Sequence, residues 1–273
     1  MIYDLQKASL TKRLSAFLFD FIMMAMLVIG CALVIVRIVD YDSYLLKLEN
    51  RVTSIQESHG ISEIEEKYKD LKDVRVVFSE YQYMLEDERA VLPEDAKAAF
   101  DACIEEMRND TEMAKINAII MNLSLLIPSF SFLISYLVLE FAIPMFLQNG
   151  QTLGKKIFAL GVMRTDCVKI SPMILFVRTV LGKYTIGTMV PILMLLSLLF
   201  GVPPLMPMAV ILLVLLLQVV LFITTKTNSF IHDSLASTVV VDFQSQMIFD
   251  SIEAKNEYIL RLHAEDAEKA EIN

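Results

Sequence analysis

The chain has 273 residues, a formal net charge of −9 and a 55% apolar share, with 16 Met, 16 Phe and no Trp. Its acidic balance excludes nucleic acid as a partner, since phosphate binding requires a basic surface. Length alone admits one or two soluble domains, but the apolar residues gather in four blocks near 14–36, 118–147, 184–200 and 205–225, the mark of a polytopic membrane protein.

Residues 1–13 are short and polar, with Lys7, Lys12 and Arg13. Positive charge beside the first span predicts a cytoplasmic N-terminus. The first span holds 23 nearly uninterrupted apolar positions between Arg13 and Arg37. At about 1.5 Å per residue these reach roughly 35 Å, enough to cross the hydrocarbon with some tilt. The run is too long for a cleavable signal peptide and lacks a small-residue cleavage site, so it reads as an uncleaved anchor. Asp20 lies inside it, about 10 Å past Arg13 and on the same helical face. A carboxylate at that depth costs on the order of 2.5–3.5 kcal/mol, so it must face protein, water or a partner charge.

Residues 40–116 carry about twenty acidic and about ten basic side chains, most of the chain's negative excess. Leu45, Leu48, Val52 and Ile55 form an amphipathic stripe that His59-Gly60 breaks. Ser62 followed by Glu65 predicts a capping box for a second helix, with Ile64, Tyr68, Leu71, Val74, Phe78, Tyr81 and Leu85 on one side. Pro93 marks the start of a third, containing Ala96, Phe100, Cys103, Ile104 and Met107, that runs straight into span two. The expectation is an extracytoplasmic helical stalk or small bundle.

Span two, about 118–147, contains Pro128 and Glu140. Glu140 lies about 12 Å from the Gln148 end, a depth like that of Asp20 from the same side. Lys155, Lys156, Arg164, Lys169, Arg178 and Lys183 make 148–183 a basic cytoplasmic connection. The stretch Gly150-Gln151-Thr152-Leu153-Gly154-Lys155-Lys156 lacks phosphate-loop spacing, so nucleotide binding is rejected. Ile157 to Val162 reads as a strand or an interfacial segment. Pro172 opens an amphipathic helix with Ile174, Val177, Val180 and Leu181 opposite Arg178 and Lys183, a pattern for a helix lying in the membrane interface. Span three, 184–200, and span four, 205–225, are joined by a turn carrying Pro203, Pro204 and Pro207. After them come His232-Asp233-Ser234-Leu235-Ala236, an apolar run to Val241, and a charged, helix-prone tail over 242–273.

The fold class is thus all-α: a four-span helical bundle in the cell membrane with both termini cytoplasmic. The chain divides into 1–40 (N-terminal segment and first span), 41–116 (helical insertion), 117–242 (remaining membrane core) and 243–273 (tail). Asp20, Glu140 and Asp233 are the candidate ion- or proton-binding centre, with Arg13 and His232 as charge partners. Cys31, Cys103 and Cys167 lie far apart, at spacings that suggest no metal site or disulfide framework. The sequence contains no nucleophile–base spacing, metal motif or cofactor loop, so no enzyme, metal or cofactor is expected.

Arg13 at the head of span one, Asp20 within it and His232-Asp233 near the end resemble the arginine and two aspartates of the RDD family of membrane proteins. The stretches Gly150 to Lys156 and Asp233 to Val241 are also similar to that family's recurring segments. The likeness covers 8–39 and about 117–242; the insertion at 41–116 replaces what is usually a short loop. The family implies a membrane bundle, and for some members cation–proton antiport. Two readings follow. In one, inner-leaflet carboxylates carry a small cation or proton, and four spans call for a homo-oligomer. In the other, the charges lock the inner ends of the spans, and the outer helical domain binds an extracytoplasmic protein partner.

Overall fold

The computed structural model describes residues 5–69, 76–147, 150–185, 205–225 and 229–272. It divides into two compact units, Met1–Ile29 with Phe132–Asn273, and Gly30–Ser131.

Two helices among the described residues are long and apolar enough to cross a bilayer. One is α1 (Leu10–Ile38). The other is α7 (Thr111–Tyr136), continued by a π-helical turn at Leu137–Ala142 and by α8 (Ile143–Phe146). α1 leaves Leu14, Phe17, Phe21, Ile29 and Leu33 exposed. In water each such side chain forgoes about 1.5–3 kcal/mol of burial, a penalty that lipid removes. A third apolar helix, α11, spans Leu205–Thr224. The span expected over 184–200 falls, from residue 186 on, outside the described residues, as do Pro203 and Pro204.

Within Gly30–Ser131, α2 (Tyr41–Ser58), α3 (Ile61–Lys67), α4 (Phe78–Tyr81), α5 (Glu86–Ala90) and α6 (Glu94–Asn109) surround a core of their own. Phe100 of α6 is fully buried among Ile55, Ile61, Phe78, Tyr81 and Leu92. Its ring meets Phe78 and Tyr81 edge-on at 5.3 and 5.2 Å. Three local expectations are corrected. The expected second helix stops at Lys67 and helix resumes, among the described residues, only at Phe78; Leu71 and Val74 lie outside the described residues, and Leu85 is exposed rather than on a buried stripe. The capping box does not form: α3 starts at Ile61 after left-handed Gly60, and Glu65 accepts the Phe78 amide at 2.7 Å. The third helix does not run into span two, because extended Asp110 separates α6 from α7. Its carboxylate accepts the Met113 amide at 2.6 Å and pairs with Arg51, so one acid caps α7 and ties its start to α2.

In the other unit, α9 (Leu153–Ile157) leads into β1 (Leu160–Arg164), which pairs antiparallel with β2 (Thr238–Asp242), Val162 opposite Val240. The rest of the chain's regular structure is mostly helical, as expected. Both faces of the ribbon are covered, which is why β2 reads as a continuous Val run rather than an alternation. Leu160, Val162 and Val240 pack with Ala16 and Leu175; Met163, Val239 and Val241 pack with Cys167 and Phe249. The segment before α1 runs along β2, the Ala8 amide donating to Val240 and the Asp242 amide to Gln6. α10 (Pro172–Phe176) starts at the Ser171 cap and widens into a π-helical stretch, Val177–Tyr184. α12 (Ile231–Leu235) and α13 (Ile252–Ile272) complete the unit.

Candidate functional site: an ionic centre at the Arg13 end of α1

The Gly150–Lys156 stretch is built to hold Asp20. Thr152 caps α9, its hydroxyl accepting the Lys155 amide at 3.3 Å and donating to Asp20 Oδ2 at 2.5 Å. The Gly154 amide donates to Asp20 Oδ1 at 2.8 Å. Gln151 is buried and donates to the Leu160 carbonyl at 2.6 Å, tying the same turn to β1. Residue 154 must lack a side chain: a Cβ there would lie 2.3 Å from the Ala16 carbonyl oxygen. Asp20 therefore takes its donors from a loop 132 residues away, and its carboxylate holds α9 against α1.

Glu140 sits in the π-helical turn after α7 and is 4% exposed. Lys183, at the end of the second π-helical stretch, donates to its Oε1. Its Oε2 has no hydrogen-bond partner among the described residues. Arg178, on the same stretch, sends Nε and Nη2 to Asp233 Oδ1 at 2.8 and 2.7 Å, both side chains buried. The Thr238 hydroxyl adds a third donor at 3.2 Å. His232 Nε2 stands 3.6 Å from Asp233 Oδ2. The widened π turns are rare and concentrate at functional positions, and here they carry Glu140, Arg178 and Lys183. Arg13 Nη2 donates to the Val240 carbonyl at 2.7 Å, and Lys12 pairs with Asp242 at 2.5 Å.

These groups bear on one another's protonation. Burial pushes Asp233 up, but Arg178 and His232 outweigh it and hold the carboxyl at about 2. Burial pulls His232 down to about 4; Asp233 opposes this, while Arg178, Lys183 and Lys155 add to it. Burial lowers Lys155 to about 8, with Glu140 raising it and Arg178 and Lys183 lowering it further.

Arg13, Asp20, His232 and Asp233 line one cavity of about 100 Å³, together with Lys155, Arg178 and Lys183. Glu140 is not among its lining residues; it reaches the cavity through Lys183. The basic residues Lys155, Arg178 and Lys183 read in the sequence as charges of a connecting segment. Arg178 in particular is not on the polar face of an interfacial helix: it is 3% exposed and ion-paired. The signal that could have found it is the excess of acids in the apolar blocks, which demands cations at matching depth.

Two apolar helices of bilayer length, with Glu140 on the continuation of the second buried against Lys183, fit an integral membrane protein. The family model that matches, the RDD family, covers residues 7–237, and the chain belongs to that family. No curated protein matches it, and no solved structure does.

Proposed function

We propose that this protein is a multi-pass membrane module, four spans with both termini cytoplasmic, whose ionic centre locks the inner ends of the spans to the β1–β2 ribbon. The observation that supports this is that each carboxylate already has protein donors: Asp20 from Thr152 and Gly154, Asp233 from Arg178, and Glu140 from Lys183. A cation carrier must offer carboxylate oxygens to its ion, and at least one oxygen of each of these carboxylates is already engaged. On this reading the centre is architectural rather than catalytic, and residues 41–116, which fold on a core of their own, face outward and receive a protein partner.

The lock is tested by a double-mutant cycle. Arg178→Met strands a buried carboxylate and is expected to cost about 3–5 kcal/mol of stability. Adding Asp233→Leu should return most of it, read as thermal unfolding of the solubilised protein. A double variant no more stable than Arg178→Met would remove the lock.

A second reading, movement of a cation or proton through Asp20 and Glu140, is favoured by the unpartnered Glu140 Oε2. Proteoliposome flux separates the two. The lock predicts no flux of protons or sodium under an imposed gradient. Wild-type flux lost in both Asp20→Asn and Glu140→Gln, with folding retained, puts the carrier in its place.

A further inference from the structure

A second, larger cavity abuts the ionic one. It is a groove of about 460 Å³ between α1, the Gly182–Lys183 turn and α11. Leu10, Leu14, Phe17, Phe222 and Ile231 make its walls, and Arg13, Lys183 and His232 stand where it meets the ionic cavity. The volume falls within the range of small-molecule sites, about 300–1,000 Å³. The walls suit an alkyl chain, and α1 and α11 are apolar helices, so such a chain enters from the bilayer.

Among the described residues the charge at the polar end is not balanced. Four cations, Arg13, Lys155, Arg178 and Lys183, face three carboxylates, Asp20, Glu140 and Asp233. Asp20 is satisfied by a hydroxyl and an amide rather than by a cation. Lys155 forms no ion pair among the described residues; its ammonium reaches only the Thr152 hydroxyl, at 3.3 Å. An excess positive charge in a low-dielectric site is costly without a counter-anion. A free inorganic anion would neutralise it but leave the apolar groove unfilled. We propose that the groove holds one acyl chain of an anionic phospholipid, with the lipid phosphate against Arg13 and Lys183 at the mouth of the ionic cavity.

The chain has no tryptophan, so Phe222→Trp places the sole indole in the groove wall. Full-length protein carrying it is reconstituted with brominated phosphatidylglycerol or brominated phosphatidylcholine in an unbrominated phosphatidylcholine background. Half-maximal quenching is expected at about tenfold lower phosphatidylglycerol than phosphatidylcholine, the scale of one or two basic side chains acting on an acidic lipid. Lys155→Gln should shrink that preference to about threefold or less. A larger residue in the groove, Leu14→Phe, should weaken quenching by both lipids. Equal quenching by the two lipids overturns the proposal. So does a preference that Lys155→Gln leaves intact, or one that inorganic phosphate abolishes at constant ionic strength, which would mark a soluble-anion site.

Discussion

Among single residues, His232 is the one whose charge state most plainly depends on the fold. Burial lowers it from 6.5 to about 4, with Asp233 opposing and Arg178, Lys183 and Lys155 adding to the effect. Between those values the unfolded chain binds a proton that the folded chain refuses. Stability is therefore present above pH 6.5 and falls as pH drops toward 4, by at most about 3–4 kcal/mol. Asp233, held at about 2, loses its own contribution only below its usual 3.8, so the two windows do not overlap. A melting temperature measured from pH 7 to pH 4.5 should fall in wild type and flatten in His232→Phe. The same slope in that variant would assign it to other groups. Asp20 and Asp233 were legible as polar-centre residues because charge inside apolar sequence demands company. Their actual partners were not, because a hydroxyl at 152 or a basic residue in a connecting segment carries no mark of which acid it will meet.

For the elements, the informative contact is α9 against α1. The sequence reads Gly150 to Lys156 as a recurring segment without saying what it does. The structure gives Gln151, Thr152 and Gly154 distinct tasks, Gly154 the strictest, since its amide serves Asp20 while its missing side chain admits the Ala16 carbonyl. Gly154→Ala must push the two apart, and overpacking of this kind costs about 1–3 kcal/mol. The variant is expected to melt lower than wild type in detergent, and more so than Gly30→Ala, whose added methyl meets nothing within 4 Å. Equal melting of the two would mean the α1–α9 contact is loose. The long helices were readable from apolar run length. The π-helical stretches were not, because the residue pattern of Leu137–Ala142 or Val177–Tyr184 does not distinguish a widened turn from an ordinary helical one. β2 was seen only as an apolar run, since a short buried strand and a buried helical segment share that pattern.

On the scale of the whole molecule, four apolar blocks declared a membrane protein, and the first two are bilayer-length helices. What composition could not convey is how far apart in sequence the joined pieces are. Arg13 reaches Val240, and Lys12 reaches Asp242. That separation has a temporal meaning. Thr152 is synthesised 132 residues after Asp20, a delay of roughly 7–26 s at about 5–20 residues per second. Throughout it, a nascent α1 carries a carboxylate that has not met its donors, and it needs a chaperoning environment until they arrive. Ribosome-stalled chains ending before residue 152 should photocrosslink from Phe17 to the insertion machinery, and chains ending past 242 should not. If Asp20→Leu chains are released no sooner than wild type, the wait has another cause.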